Sequence, residues 1–310
     1  MYDIIGDIHG HATPLKQLLT KMGYQQQGGV WQHSTRTVIF LGDFVDRGPE
    51  QLEVVQIAKS MVEANQALAV MGNHEFNAVA WATEHPEGPD GYLRKHSDKN
   101  RDQHQAFLAQ VSEGSETHRE LIKWFKTLPL YLELDGLRVV HACWHSKQIN
   151  VLQSYLDDRN SIKPNAWPAL ALKEGAGYEA LEVVLKGLEI ELPDGATFQD
   201  KNNHTRSGIR TAWWRLDATT YKEVAMVPSS EVSKMPDTDI PVNTLPGYAS
   251  DKPVFIGHYW LRDDPSPLNP YVACLDYSIA GDEGGKLCAY RWDGEKTLAK
   301  ENFCWVERSV

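Results

Sequence analysis

Three short apolar segments near the start of the chain each run into a glycine that is followed by acidic, amide or imidazole side chains. The segments span residues 2–5, 38–41 and 67–71, and apolar residues at helical spacing separate them. This alternation predicts a βαβαβ unit with parallel strands. Because ligands bind where the carboxyl ends of such strands meet the loops, we expect the three polar blocks to lie together at one edge of the sheet.

The polar blocks contain the donor atoms that transition metals prefer. They read GDIHG at residues 6–10, GDFVDRG at 42–48 and GNHE at 72–75, and two later apolar segments end at His141 and at Gly257-His258. Carboxylate oxygens and imidazole nitrogens together suit Mn, Fe or Zn. One Asp-x-His pair is common by chance on a protein surface. Five such blocks, each directly after a predicted strand, favour a shared metal site.

The rest of the sequence predicts one domain, residues 1–310, with an insertion. Pro, Gly, His and charge in 84–101 predict a surface loop, and 107–125 predicts a helix in two pieces. Asp135-Gly136 predicts a hairpin turn between two strands. The pattern weakens over 146–250, apart from one amphipathic helix near 178–188, and we interpret this stretch as a cap. Strand character resumes at 254–256, 271–275 and 286–292.

Charge and cysteine content limit the partners and the compartment. The chain has 31 Lys+Arg against 42 Asp+Glu and a formal net charge of −11, which argues against nonspecific nucleic-acid binding but not against an anionic substrate. No apolar run approaches the ~18 residues of a membrane span, and the first residues resemble no signal peptide. The four cysteines form no CxxC pair. We therefore expect a cytoplasmic protein without a membrane partner, whose oligomeric state the sequence does not reveal.

The five blocks together resemble the calcineurin-like metallophosphoesterase superfamily, and within it the phosphoprotein phosphatase branch. That branch includes bacterial serine/threonine phosphatases and their symmetrical diadenosine tetraphosphatase relatives. The resemblance rests on blocks 6–10, 42–48 and 72–75, with His141-Ala142 and Gly257-His258-Tyr259. It implies an α/β fold, a β-sandwich of mixed sheets flanked by helices, with the 146–250 region inserted as a cap. It also implies dinuclear metal-dependent hydrolysis of a phosphoester by a metal-activated hydroxide.

The resemblance further implies two divalent metal ions, with Mn as the first choice and Fe, Zn, Ni or Mg as alternatives. Two metals about 3.5–4 Å apart can activate a shared water and stabilise the phosphoryl oxygens. The implied ligands are Asp7 and His9 for one ion, Asn73, His141 and His258 for the other, and Asp43 as the bridge.

The implied catalytic residues are His74, Asp46 and Arg47. His74 adjoins the ligand Asn73, and an imidazole that is not itself a ligand can act as the general acid for the leaving group. An aspartate on its other nitrogen fixes the tautomer, which is the role of Asp46. The forked guanidinium of Arg47 can bind two phosphate oxygens, and Asn73 would also contact the phosphate.

A second phosphate-binding arginine is expected in the segment 203–214. This segment resembles the substrate-side loop that bacterial members of the family carry before the last metal-binding histidine. Arg210 is the first candidate and Arg206 the second. The alternative is a solvated loop anchored by Trp213 and Trp214.

Other polar residues receive ordinary interpretations. Asp276, Asp282 and Glu283 follow the strand at 271–275 and are interpreted as turn residues. Histidines outside the motifs complete no ligand set and are likewise interpreted as ordinary; they are His11, His33, His85, His96, His104, His118, His145 and His204.

Two activities fit the motif residues. The leading hypothesis is a phosphoprotein phosphatase-like phosphomonoesterase that acts on phosphorylated peptides or proteins. The alternative is a diadenosine tetraphosphatase-like hydrolase that acts on a nucleotide or another small phosphoester. They differ in whether the cap leaves an open groove or builds an adenine pocket. A catalytically silent scaffold would have a broken ligand set, and a metallonuclease would favour a basic groove, so neither is preferred.

Overall fold

The computed structural model describes residues 1–172, 175–200, 204–248, 250–281 and 284–308. The strands of its two main sheets and of its small two-stranded sheets are β1 (Tyr2–Ile5), β2 (Gln25–Gln27), β3 (Val30–Gln32), β4 (Thr37–Phe40), β5 (Ala67–Ala69), β6 (Tyr131–Glu133), β7 (Arg138–Val140), β8 (Glu189–Glu191), β9 (Phe198–Gln199), β10 (Thr205–Arg206), β11 (Gly208–Arg210), β12 (Val254–Ile256), β13 (Val272–Cys274), β14 (Asp276–Tyr277), β15 (Lys286–Trp292) and β16 (Phe303–Glu307). The α-helices are α1 (Ala12–Lys21), α2 (Gln51–Glu63), α3 (Asn73–Ala82), α4 (Asp98–Val111), α5 (Glu116–Phe125), α6 (Ser146–Leu152), α7 (Trp167–Ala171), α8 (Ala176–Lys186) and α9 (Tyr221–Val224). Short 3-10 turns lie at Pro89–Gly91, Gln153–Tyr155, Pro193–Gly195, Val232–Lys234 and Lys300–Asn302.

The predicted βαβαβ unit forms half of a six-stranded sheet. Its order is β14-β15-β1-β4-β5, with β16 beside β15. Strands β1, β4 and β5 run parallel, as expected, whereas β15 runs antiparallel to β1. The sheet is therefore mixed, and the carboxyl ends of its three parallel strands meet at one edge.

A second, four-stranded sheet of order β13-β12-β7-β6 packs against the first. Ile4 and Ile39 of the first sheet and Val139 and Phe255 of the second share one buried cluster. Because side chains alternate along a strand, the next residue of β1, Ile5, belongs instead to the core that the helices cover. Burying one such side chain stabilises the fold by about 1.5–3 kcal/mol. The expected β-sandwich of mixed sheets flanked by helices is confirmed.

The helical segments follow the sequence pattern with one correction. The predicted two-piece helix is α4 and α5, and the predicted amphipathic helix is α8. The expected loop at 84–101 is shorter than predicted, because α4 already begins at Asp98, where the Ser97 hydroxyl accepts the Asn100 amide N–H at 3.4 Å. Within the described ranges, no helix is both long and apolar enough to cross a membrane.

The region predicted as a cap contains α6 to α9 and β8 to β11. Leu181 and Val184 of α8 and the nearby Trp213 join the main buried core. A smaller cluster around Ile209 and Tyr221 forms a separate core within this region. Its status as an insertion over the site stays a prediction.

The polar blocks that follow the parallel strands β4 and β5 lie directly against each other. Gly42 has φ +87°, and a Cβ built on it would lie 2.3 Å from the backbone nitrogen of Gly72. Only glycine permits that conformation and that approach. The blocks after β4 and β5 therefore touch through their backbones, which fixes the relative positions of the side chains that follow.

Candidate metal centre

Backbone hydrogen bonds join the loop after β1 to the loop after β4. The amide N–H of His9 donates to the carbonyl oxygen of Asp43 at 2.8 Å, and that of Gly10 donates to Phe44 at 2.7 Å. In return, the N–H of Gly48 donates to the carbonyl of His9 at 2.9 Å. The two motif loops thus form one unit that carries five of the predicted site residues.

Glu75 ties the third block to the same unit, a role that the sequence patterns did not reveal. Its buried carboxylate accepts the backbone N–H groups of Asp43 and Phe44 at 2.8 Å each and of Gly72 at 3.0 Å. Burial, followed by the charge of Asp43, raises the pKa of Glu75 to about 7. Beyond the ends of β4 and β5, the Glu75 carboxylate therefore accepts the backbone N–H groups of both loops and holds the loops together.

Strained backbone is concentrated at these loops. Of the twelve non-glycine residues with positive φ in the described ranges, five are predicted site residues. Such conformations cost on the order of 1–3 kcal/mol each and persist where the surroundings enforce them. The five residues are His9 (φ 47°), Asp43 (φ 49°), Asp46 (φ 71°), Arg47 (φ 73°) and His258 (φ 72°).

The Asp43 carboxylate lies at the centre of the predicted ligands. Its Oδ2 is 3.4 Å from Nε2 of His141 and 3.6 Å from Nε2 of His9. Two groups of donor atoms share it, one with His9 and His74 and the other with His141 and His258. A carboxylate common to two donor groups is the arrangement that a bridged pair of metal ions requires. His74 belongs to the first group although the resemblance gives it a different role.

Two of the histidines are held in the tautomer that a metal ligand needs. Nδ1 of His141 lies 2.7 Å from the carbonyl oxygen of Leu41, and Nδ1 of His9 lies 3.1 Å from that of Val45. A carbonyl oxygen can only accept, so each Nδ1 carries the proton and donates it. In each ring, Nε2 is therefore the nitrogen that faces Asp43 and that could bind a metal ion.

Unsatisfied buried atoms test whether this donor set fits metal ions. Oδ1 of Asp7, Nε2 of His9 and Nε2 of His258 are buried and have no hydrogen-bond partner. Buried polar atoms without partners are costly and uncommon. Asp7 lies outside the two donor groups, but its Oδ2 accepts the backbone N–H of His258 at 3.0 Å. The Asn73 side-chain oxygen is 3.2 Å from Nε2 of His141. The donor set fits divalent metal ions.

The pKa shifts around Asp43 also favour positive charge at this site. Burial and then the charge of His74 lower the pKa of His9 to about 3, so this imidazole is neutral. Burial alone would raise the pKa of Asp43, but the neighbouring histidines, His141 first, bring it well below the usual range. Burial alone would lower the pKa of His141, yet the Asp43 carboxylate raises it to about 10. Positive charge beside an ionised Asp43 is therefore strongly favoured.

Asp46 connects two imidazoles, one of which the sequence patterns missed. Nδ1 of His74 is 2.5 Å from one carboxylate oxygen of Asp46, and Nδ1 of His104 is 2.7 Å from the other. Burial opposes ionisation of Asp46, but the hydrogen bonds with His104 and His74 keep its pKa well below the ordinary value. His104 is fully buried and belongs to neither group of candidate metal donors among the described residues, but its bond with Asp46 gives it a contact that the sequence interpretation did not include. Its position on the face of α4 that also carries Phe107, at i and i+3, is a signal that could have identified it.

Arg47 is positioned by an aromatic ring. Its guanidinium carbon lies 4.5 Å from the ring centre of Trp260, whose backbone N–H donates to the carboxylate of Asp276 at 2.7 Å.

Asp276 is buried and begins β14, so its prediction as a turn residue was wrong. Asp282 and Glu283 lie outside the described residues.

The two candidate arginines of the segment 203–214 lie in different surroundings; its first residue, Asn203, is outside the described residues. Arg210 lowers the pKa of His258 by its charge, after the larger effect of burial, which places it near the metal centre. Its Nε is buried without a hydrogen-bond partner, while Nη2 pairs with Glu189 at 3.2 Å. Arg206 is more exposed and pairs with Asp200 at 2.9 Å.

The chain is similar to known proteins in both sequence and structure. The family model described as calcineurin-like phosphoesterase matches residues 2–184. A curated relative from Oceanobacillus iheyensis, bis(5'-nucleosyl)-tetraphosphatase PrpE [asymmetrical], is 32% identical over 141 residues, which cover 45% of this chain and 54% of the relative. A symmetrical bis(5'-nucleosyl)-tetraphosphatase from Marinomonas sp. is 29% identical over 185 residues, covering 53% of this chain and 58% of the relative. The chain thus spans about half the length of these relatives.

A solved structure provisionally assigned as a diadenosine tetraphosphatase superposes with a TM-score of 0.50 at 16% identity. The superposition covers 99% of this chain and 92% of the other. At that identity the likeness concerns the fold alone. The family model matches more than half of the sequence, and the superposition agrees with the sandwich fold. The chain belongs to the calcineurin-like phosphoesterase family.

Proposed function

We propose that this protein is a dinuclear metal-dependent hydrolase of dinucleoside polyphosphates. The observation that carries the proposal is the set of buried donor atoms without partners around Asp43, on Asp7, His9 and His258. The names of the curated relatives favour a nucleotide substrate over a phosphoprotein, which reverses the order given by the motifs alone. A phosphoprotein phosphatase is the second candidate, because the GDFVDRG and GNHE blocks are also typical of that branch.

The donor chemistry supports two divalent ions. Asp43 would bridge them, and its acidity and the neutral His9 give the protonation states that metal binding needs. Mixed oxygen and nitrogen ligands favour Mn, with Fe, Zn, Ni or Mg as alternatives. When bound, such ions acidify a water molecule and withdraw charge from the phosphoryl oxygens. The ligands proposed are Asp7, His9, Asp43, Asn73, His141 and His258.

His74 would protonate the departing oxygen. Its Nδ1 is held by Asp46 at 2.5 Å, which leaves Nε2 to face the substrate. Burial would lower the pKa of His74, but the charge of Asp43 and the bond with Asp46 raise it above the ordinary value, which keeps a proton available. General acid catalysis needs that combination of orientation and charge.

Arg47 and Arg210 would bind the phosphate, with help from the Asn73 amide. Arg47 lines a cavity together with Asn73 and His74. Arg210 ends β11, its charge acts on His258, and its unpartnered Nε offers a donor. We assign Arg206 to the ion pair with Asp200 rather than to the substrate.

A substrate panel tests the proposal. Manganese-loaded protein should hydrolyse p-nitrophenyl phosphate and, with a higher kcat/KM, diadenosine tetraphosphate; a phosphoserine peptide should react more slowly than either. The same panel repeated with Fe, Zn, Ni and Mg identifies the working metal. A peptide preferred over the dinucleotide would select the phosphoprotein phosphatase. Failure to hydrolyse every member, in protein that contains metal, would contradict the hydrolase itself.

Replacing His74 by Asn should lower kcat about 10²–10⁴-fold, because the leaving oxygen loses its proton donor. Metal content, measured by elemental analysis of the purified variant, should stay at the wild-type level. Loss of metal together with loss of rate would instead place His74 among the ligands, as its membership of a donor group with His9 and Asp43 would allow.

His104 is expected to act through Asp46 as a positioning residue. In His104→Leu the carboxylate loses one donor and holds His74 less firmly, so kcat should fall roughly 10–100-fold, the usual scale for a partner one step removed. The fall should be larger for phenyl phosphate than for p-nitrophenyl phosphate, whose better leaving group depends less on a proton. His104→Asn, which retains a donor near Nδ1, should recover most of the rate. Equal losses on both esters would indicate a purely structural role.

A further inference from the structure

Two adjoining cavities extend the candidate site along α3. The first, about 550 Å³, reaches His74, and the second, about 700 Å³, lies beyond it. Asn77, Arg94 and Gln103 line both cavities. The shared lining makes one continuous groove, here called the α3 groove, that starts at the proposed general acid and leads away from the metal ligands.

Arg94 lies where the two cavities meet and carries an unneutralised charge. Its Nη2 donates to the amide oxygens of Gln103 at 3.1 Å and Asn100 at 3.4 Å. No carboxylate of the described residues forms an ion pair with it. Burial lowers its pKa, against a smaller opposing effect of Asp46. A partly buried guanidinium that only neutral amides hold remains able to pair with an anion.

The second cavity combines apolar surface with further positive charge. Tyr178 contributes a ring and Leu93 methyl groups, and Lys95 lies at the same cavity. Lys186 also lies there, but it pairs with Glu182, another residue of the lining. Its volume falls in the range of small-molecule sites. An apolar wall that can stack against a base, with Arg94 and Lys95 beside it, suits a nucleoside that carries phosphate groups.

The direction in which the α3 groove runs from His74 determines which part of a substrate the groove can bind. A general acid contacts the leaving oxygen, so the leaving group extends past His74 and away from the metal ligands. From Asn73 to Ala80, α3 extends about 10 Å along its axis. Ala80 lines the second cavity, so the groove continues over that distance.

We infer that the α3 groove binds the leaving portion of a dinucleoside polyphosphate, with Arg94 on a phosphate beyond the one attacked and the second cavity around the nucleoside. This inference rests on the proposed function, since it takes His74 as the acid for the leaving group. The carboxylates of the two linings do not pair with Arg94: Asp46 pairs with His74 and His104, Glu182 pairs with Lys186, and Asp102 is exposed.

Substrate selectivity tests the inference. For each variant, kcat/KM is measured for diadenosine tetraphosphate and for p-nitrophenyl phosphate, and their ratio is compared with wild type. Arg94→Gln should lower the ratio roughly 10–100-fold through a higher KM for the dinucleotide, as the loss of a charge-assisted contact implies. Tyr178→Ala should lower the same ratio by removing the wall against which the nucleoside packs.

Arg101→Gln is the matched control. Arg101 is a nearby cation outside both cavities; it pairs with Glu113 at 2.9 Å and lies over the ring of Trp81. Its replacement should leave the ratio unchanged. An unchanged ratio in Arg94→Gln overturns the inference. If the wild-type protein cleaves p-nitrophenyl phosphate but not the dinucleotide, the inference is also overturned, while the phosphoester hydrolase stands. If the wild-type protein cleaves neither substrate, the hydrolase is overturned as well.

Discussion

The carboxylate of Glu75 is the interaction on which the site depends. It accepts three backbone N–H groups at 3.0 Å or less, from both the block after β4 and the block after β5. Burying a carboxylate costs free energy unless hydrogen-bond donors such as these surround it. Two of these three donors come from the loop after β4, in which Asp43, Asp46 and Arg47 all have positive φ. The hydrogen bonds stabilise that strained loop, and the loop in turn directs the Asp43 carboxylate toward the histidines.

Asp43 then couples the metal centre to the acid. One of its oxygens lies within 3.9 Å of His9, His74 and His141, and the other accepts the backbone N–H of His74 at 2.9 Å. Asp46, three residues later in the same loop, orients the His74 ring. The loop after β4 therefore sets both the ligand geometry and the orientation of the proton donor, and a change in its backbone would disturb both at once.

The charge near the candidate site differs in sign from the net charge of the chain. A net charge of −11 disfavours long polyanions across the surface as a whole. Arg47 and Arg94 nevertheless line the cavity beside His74, and Arg210 lies near His258. Together with divalent ions, these guanidiniums would make a confined positive pocket in an acidic protein. Such a pocket suits a compact polyphosphate better than a nucleic acid.

The sequence predicted the parts of the site that are local and missed those that depend on distant contacts. The motif blocks after β1, β4 and β5 were recognisable because glycine and ligand side chains follow each strand directly. His104 lies 58 positions from Asp46 and meets it only because α4 packs beside α2. Glu75 was visible within GNHE, but nothing in that block indicates that its carboxylate accepts backbone donors from another loop. Asp276 was mistaken for a turn residue because burial of a lone carboxylate cannot be read from its neighbours.

The central claim is that Asp43 joins two metal sites. The most direct test counts the manganese ions bound per chain by native mass spectrometry, in the wild type and in Asp43→Asn. Asp102→Asn, which removes an exposed carboxylate outside the ligand set, serves as the control. The account predicts two ions per chain in the wild type and the control, and fewer than two in Asp43→Asn at the same free manganese. One ion or none in the wild type, or two ions retained with unchanged affinity in Asp43→Asn, would contradict it.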